Sequence, residues 1–220
     1  MYQMVKNILI TTVSLFTMAM VLMACQSSND LDGISNGEKQ NYDNMQRAYF
    51  ASGCFWCVEA IYESVEGVEE VYNGYSGGHT DNPTYEASNT GSTGHAEAVE
   101  VIYDSTKVSF KQLVDVYFGS QNIEQVNGQG NDIGSQYRSI AFYNSIAQKE
   151  IIDQKVAGLT AKGLKVASEI KPFEKFWMGE DYHQDYERLH PNQGYILAVS
   201  VPRLNRFKKD FPDLVKKSSH

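Results

Sequence analysis

The residues best suited to chemistry are two cysteines three apart, Cys54 and Cys57, with Phe55 and Trp56 between them. The segment follows Gly53, where a strand-like stretch gives way to a helix-like one. A thiol at a helix N-terminus faces unpaired backbone N–H groups, which favour the thiolate. The spacing puts Cys57 one helical turn on, within reach of the Cys54 sulfur. Three uses of the pair compete. Both could be small buried hydrophobes. They could be half of a zinc site, with the other ligands drawn from His79, His95, His183, His190 and His220, none of them at finger-like spacing. Or they are a redox pair. The chain has three cysteines in all. That is too few for a disulfide scaffold, and Cys-x-x-Cys closes too small a loop to stabilise much. The pair therefore reads as chemical rather than structural, and disulfide exchange is the first redox role to weigh. Phe55 and Trp56 count against it. They would wall an apolar pocket beside the sulfur, suited to a small group such as an S-methyl.

The flanking elements follow from periodicity. Residues 48–52 read as a short buried strand ending at Gly53, and residues 57–66 as a helix with Val58, Ile61, Tyr62 and Val65 at helical spacing and Gly67 to end it. Residues 68–75 are strand-like. Residues 74–94 form a long glycine-bearing loop, and loops of that length are usually functional. Residues 96–103 alternate, with Glu97, Val99, Val101 and Tyr103 on one face. Ser109 is placed to cap a helix through Phe118, and a second long loop spans 119–136. A strand at 139–143, a helix capped by Ser145 and running to about Lys162, and a strand at 166–170 complete the pattern. The order strand–helix–strand–strand–helix–strand predicts an α+β fold: a two-layer sandwich with a split βαβ (ferredoxin-like) core, the long loops forming the site.

Composition narrows the class. The 220-residue chain is 42% hydrophobic and carries a net charge of −8, which fits a globular domain and argues against nucleic acid as partner. Lys6 followed by an apolar run over 8–24 has the layout of a secretory leader. The run ends at Leu22-Met23-Ala24-Cys25 and turns polar at Gln26. A bulky residue three places before Cys, and a small one beside it, resembles the lipobox of bacterial lipoproteins. That likeness implies lipidation of Cys25. The other reading of the run is an uncleaved membrane anchor. Either one puts the domain outside the cytoplasm, in the cell envelope and tied to a bacterial membrane. The expected organisation is a leader over 1–24, a flexible tether over 25–46, a domain over 47–212 and a tail over 213–220.

Gly53-Cys54-Phe55-Trp56 resembles the signature of the peptide methionine sulfoxide reductases of type A. The likeness continues in order through Gly74-Tyr75-Ser76-Gly77-Gly78, Asn82-Pro83-Thr84-Tyr85, Gly94-His95-Ala96-Glu97-Ala98-Val99, Gln129-Gly130-Asn131-Asp132, Gln136-Tyr137-Arg138-Ser139 and Glu180-Asp181-Tyr182-His183-Gln184. A single block of this kind arises by chance; the ordered set over most of the domain is specific. The resemblance implies reduction of the S-epimer of methionine sulfoxide, in proteins, peptides or the free amino acid, because each epimer has its own enzyme type. It implies no cofactor and no metal, a thioredoxin-like electron donor, and a monomer.

By the same resemblance, Cys54 attacks the sulfoxide sulfur and Glu97 supplies the proton that the oxygen needs. Burial on its strand face would keep that carboxyl protonated. Phe55 and Trp56 match the walls of the methyl pocket, Tyr85 and Tyr137 match hydroxyl donors to the oxygen, and Asp132 matches a second acidic residue that places substrate or water. Taken singly, a tyrosine reads as packing, Glu97 as a surface carboxylate and Asp132 as a turn residue. His95 is expected to position Glu97, His183 to be bonded within the domain, and Arg138 to pair with a nearby carboxylate; none is assigned a catalytic role. Many relatives keep a resolving cysteine near the C-terminus, and this chain has none after Tyr195. Others carry Cys after the aromatic pair, where Gly is commoner. Cys57 is then the resolving thiol, giving a disulfide with Cys54. A second departure is Asn122-Ile123-Glu124-Gln125, where the family often has Asp-Pro-Thr; it bears on substrate preference. Two rivals remain: an exported disulfide oxidoreductase using Cys54 and Cys57, and a binding module whose aromatics hold a methylated ligand.

Overall fold

Alternation along the first strand divides the protein into two faces. The computed structural model describes residues 42–217. In β1 (Gln46–Ala51), Ala48 and Phe50 face one apolar cluster, and Tyr49 and Ala51 face the other. The same period holds in β3 (Ala96–Tyr103), where Val99, Val101 and Tyr103 join the Phe50 side and Ala96 and Ala98 the Tyr49 side. β3 lies between β1 and β2 (Val68–Ser76), antiparallel to both, with Phe50 opposite Val99 and Tyr75 opposite Glu97. β6 (Ile140–Tyr143) pairs antiparallel with the far side of β1. β7 (Glu169–Pro172) adds to β6 in parallel, and β8 (Phe176–Met178) adds to β2 at the other edge. The six-stranded order is β7-β6-β1-β3-β2-β8.

Helices cover the Phe50 face. α1 (Phe55–Glu63) buries Val58, Ile61 and Tyr62, and α3 (Phe110–Gly119) buries Leu113, Val114 and Tyr117. Phe50 lies among the rings of Tyr62 and Tyr117, each 5.2 Å between centroids. Burying a side chain of this size contributes about 2–3 kcal/mol. α4 (Ile146–Thr160) adds Ile152 to the same core. Both caps expected from sequence are present. Ser109 and Gln112 form a capping box, and the Ser145 side chain accepts from Gln148 N. The opposite face has no helix among the described residues. Phe173 stacks on Tyr49 there at 3.6 Å, and Phe176 packs beside it.

Several expectations shift. α1 begins at Phe55, two residues before the expected start, because Cys54 is its N-cap. β7 starts at Glu169 rather than 166: Ala167 N instead donates to Ile123 O in the second long loop. The first long loop contains α2 (Tyr85–Asn89), capped by Thr84. The second contains a small ribbon of β4 (Gly128–Gln129) and β5 (Asp132–Ile133). Sequence periodicity assigns nothing beyond residue 170, yet the chain forms β8, the short α5 (Tyr186–Leu189), a π-helical turn (Ile196–Ser200) and α6 (Val201–Asp210). α6 is strongly polar overall and buries Arg203 and Phe207.

Ordered contacts extend past the expected domain of residues 47–212, into the expected tether and tail. Tyr42 donates to Glu70 at 3.1 Å, and Lys216 N donates to Ser64 O at 2.8 Å. The expected leader, Cys25 and the tether up to residue 41 lie outside the described residues. Among the described residues no helix is long and apolar enough to cross a membrane.

Candidate active site

The strand-to-helix turn sets the position of Cys54. Gly53 has φ +78°, a conformation that L side chains rarely adopt, and a Cβ there would come within 2.6 Å of Gln129 Cβ. Its N–H donates to the Tyr137 carbonyl at 3.1 Å, tying the turn to the second long loop. Cys54 follows as the N-cap of α1 and is 6% exposed. The N-terminal position does not lower its pKa, contrary to the expectation from helix geometry. Burial pushes the Cys54 thiol well up, with a hydrogen bond to Cys57 and the nearby Glu97 adding to the effect. The first N–H of the helix is also turned elsewhere: Phe55 N donates to Glu97 Oε2 at 3.0 Å.

Glu97 is 2% exposed. It sits on β3 opposite Tyr75, on the helix-covered side, because it shares the parity of Val99 and Val101. Burial pushes its carboxyl up to about 8 against the stabilising Phe55 N–H, and the Asp132 and Cys57 charges push the same way. The group is therefore a neutral acid at pH 7, beside the thiol that it would serve.

The aromatic residues enclose this point. The Phe55 ring lies 5.9 Å from Tyr75, 6.4 Å from Tyr85 and 4.8 Å from His183. The Trp56 ring stacks on Tyr186 at 3.7 Å, and its Nε1 donates to His183 Nδ1 at 3.2 Å. Tyr85, the first residue of α2, donates its backbone N–H to Glu180, which also accepts the Tyr75 hydroxyl at 2.8 Å. Tyr137 ends a 3₁₀ turn (Ser135–Tyr137). The Tyr85 and Tyr137 phenols are both pushed up, first by burial, and the charges of Glu97, Cys54 and Asp132 bear on both. The two long loops thus converge on one thiol. Arg138 helps hold them together. Its guanidinium donates to the Ser135, Gly77 and Gly94 carbonyls and pairs with Glu169 at 3.1 Å.

Cys57 occupies the next turn of α1, 1% exposed. Its sulfur lies 3.6 Å from the Tyr195 hydroxyl, which donates to Asp132 Oδ2 at 2.6 Å. The Cys57 pKa is drawn down to about 6, first by the hydrogen bond from Cys54, then against burial by Arg203, Ser200 and Tyr195. Cys57, Asp132, Gln129, Arg203 and Arg206 border a cleft of about 340 Å³.

Of the site residues expected from sequence, Phe55 follows Cys54 and donates its N–H to Glu97, the Glu97 and Cys54 charges bear on the Tyr85 and Tyr137 phenols, and Asp132 is linked to Cys57 through Tyr195. The role expected of His95 is not what the structure shows. Its Nδ1 accepts from Gly78 N and its Nε2 meets Thr80 O, so it fastens the first loop rather than Glu97. Sequence reasoning missed Tyr195, Tyr186 and Arg203. Tyr195 is only the edge of the resembling region, Tyr186 is one of 14 tyrosines, and Arg203 sits on a mostly charged helix where a buried guanidinium has no local signal.

Two thiols one helical turn apart, a neutral carboxyl and a cluster of aromatic rings are the equipment of a thiol oxidoreductase for a small polarised group. Residues 46–214 match the family of peptide methionine sulfoxide reductases. The chain is 43% identical over 173 residues to the peptide methionine sulfoxide reductase MsrA of Saccharolobus solfataricus, covering 78% of this chain and 98% of that one. It is 45% identical over 165 residues to MsrA of Nautilia profundicola, covering 75% and 95%. The fold is similar to that of methionine sulfoxide reductase A of Corynebacterium diphtheriae, with a TM-score of 0.62 and 34% identity over 68% of this chain and 76% of that one. The chain belongs to the peptide methionine sulfoxide reductase family.

Proposed function

We propose that this protein is a peptide-methionine (S)-S-oxide reductase that returns oxidised methionine, as the S-epimer, to methionine. The observation that carries the reading is the buried Glu97 carboxyl, held by Phe55 N–H at 3.0 Å, directly beside Cys54. The sulfoxide S-methyl enters between Phe55 and Trp56. Tyr85 and Tyr137 donate to the sulfoxide oxygen, and Asp132 helps to orient it. The Cys54 sulfur attacks the sulfoxide sulfur while Glu97 protonates the oxygen, without which the oxide is a very poor leaving group. A neutral Glu97 also removes the charge that opposes the Cys54 thiolate. The protonated oxygen then passes to the Cys54 sulfur as the new S–S bond breaks, so methionine departs with its electron pair restored and Cys54 is left as the sulfenic acid. Cys57 displaces water from it and closes a disulfide, which a thioredoxin-like donor reduces.

The β1–α1–β2 unit with β3 between its strands supports the reading as a split βαβ (ferredoxin-like) core. Cys25 in its lipobox-like setting supports a lipid anchor that holds a monomer to a bacterial membrane, where it repairs exported proteins.

The test is reduction of separated S- and R-epimers of a methionine sulfoxide peptide by the purified chain with dithiothreitol, alongside Cys54→Ser. Activity on the S-epimer alone, lost in the variant, is expected. No activity on either epimer would favour the disulfide oxidoreductase.

A further inference from the structure

His183 lies at the centre of the aromatic cluster and packs against Phe55 and Trp56 together. It is 1% exposed, with the rings of Phe55, Trp56, Tyr85 and Tyr182 at 4.8, 5.7, 4.5 and 4.1 Å. Its backbone is pinned to β2. Asn73 Nδ2 donates to His183 O at 2.8 Å, and the next side chain, Gln184, accepts from Asn73 N at 2.8 Å. On the ring, Nδ1 accepts the Trp56 Nε1–H at 3.2 Å. An indole nitrogen is a donor only, so Nδ1 carries no proton and a neutral His183 carries its proton on Nε2. Glu180 Oε2, 3.8 Å from Nε2, favours a proton there. Burial holds the imidazole below its ordinary range, against the Glu180 and Glu86 charges. The Tyr85 and Tyr182 phenols that face it are pushed up and stay neutral. The ring is therefore uncharged at pH 7.

Trp56 is only partly buried, and its ring contacts leave one motion open. It stacks on Tyr186 at 3.7 Å with 7° between the planes, which resists tilting but not sliding. The Tyr195 edge is farther off, at 6.0 Å. The indole has a single N–H, and its bond to His183 fixes where the ring lies within the plane of the stack. We propose that His183 is a positioning residue that holds Trp56 as a fixed wall of the S-methyl pocket and so limits the size of the S-alkyl group the site accepts. The inference rests on the reading of Phe55 and Trp56 as the walls of that pocket. His183 works in this way only as the Nε2–H tautomer, because a proton on Nδ1 would face the indole N–H and break the bond. A wall free to slide admits a longer alkyl group and grips a methyl less well. Glu180 ties the same element to the side of the pocket that meets the sulfoxide oxygen, since it also accepts the Tyr85 N–H at 2.9 Å.

The experiment gives the full chain, with dithiothreitol, the S-epimers of a methionine sulfoxide peptide and of its S-ethyl counterpart. The wild type should prefer the methyl substrate in kcat/KM by about 10- to 200-fold, the worth of one methylene in a close-fitting apolar pocket. His183→Leu keeps apolar volume and removes the acceptor. Its preference should shrink roughly 10-fold, chiefly through a higher KM for the methyl substrate. His183→Asn returns a carbonyl acceptor near the Nδ1 position and should recover part of the preference. A wild-type preference in His183→Leu overturns the proposal, and so does an equal loss in both variants. Nitrogen NMR of the wild type keeps the test open if a variant does not fold. The His183 ring, identified by its contact with the Trp56 indole proton, should be protonated on Nε2, and a proton on Nδ1 overturns the proposal. A wild type that reduces both substrates equally overturns the size limit alone. One that reduces neither overturns the reading of the site and the size limit with it.

Discussion

Glu97 Oε2 and the backbone N–H of Phe55 meet at 3.0 Å, so the first amide of α1 serves a carboxyl instead of the neighbouring thiol. The bond orients the carboxyl toward Cys54 without ionising it, because burial outweighs one N–H donor. Replacing the acid by an amide tests this. Glu97→Gln should keep the fold and lower kcat about 10²- to 10⁴-fold, the range that a general acid contributes. The wild-type rate should climb with pH up to about 8, as more Cys54 becomes thiolate, and stop climbing above it as Glu97 loses its proton. Steady-state kinetics on the S-sulfoxide peptide from pH 5 to 10 checks both.

Cys57→Ser should still release methionine in the first turnover and should stop thioredoxin-driven cycling. Single-turnover and multiple-turnover assays of the same preparation separate the two. Full thioredoxin-supported turnover in the variant would sink the resolving role.

Buried carboxyls also set the pH response of stability. Glu59 is pushed up to about 8 and Glu63 to about 7, in both cases mainly by burial. Their folded pKa values exceed the ordinary 4.5, so the unfolded chain loses these protons first. Their contribution to stability is therefore complete below about 4.5 and is lost as pH rises through 7 to 8. Glu59→Gln can still accept the Asp185 N–H. It should match wild type near pH 4.5 and exceed it by on the order of 1–3 kcal/mol at pH 8. Thermal unfolding across that range reads the difference.

Gly53→Ala should cost about 1–3 kcal/mol, since alanine at φ +78° is strained and its Cβ meets Gln129. Activity should fall further than stability, because the same turn aims Cys54. Thermal melts and kcat measured side by side test that order.

Arg203→Met should cost about 2–4 kcal/mol by leaving the Ser52 and Ser120 carbonyls unpaired. It should also move the midpoint of Cys57 alkylation upward from about 6, with Arg203→Lys intermediate. A midpoint that stays in place while stability falls would reduce Arg203 to a structural clasp.

The sequence by itself determined the chemistry and the local frame. Cys54-Phe55-Trp56-Cys57 marked the nucleophile, its pocket and its partner, and spacing alone put them at a helix start. Ser109 and Ser145 marked their helices because capping is local, and the parity of Glu97 with Val99 and Val101 marked its inward face. Tertiary structure decided which charges those groups carry. The Cys54 thiolate expected from the helix end is opposed by burial and by a carboxyl 43 residues away, neither of which has a local signature. It also decided that Tyr195 and Arg203 stand against Cys57. Nothing local in their segment points to the thiols; it meets them through long-range bonds, Arg203 across 151 residues to Ser52 and Tyr195 across 63 to Asp132. Local rules read caps and faces; desolvation and long-range hydrogen bonds exist only once the chain has closed on itself.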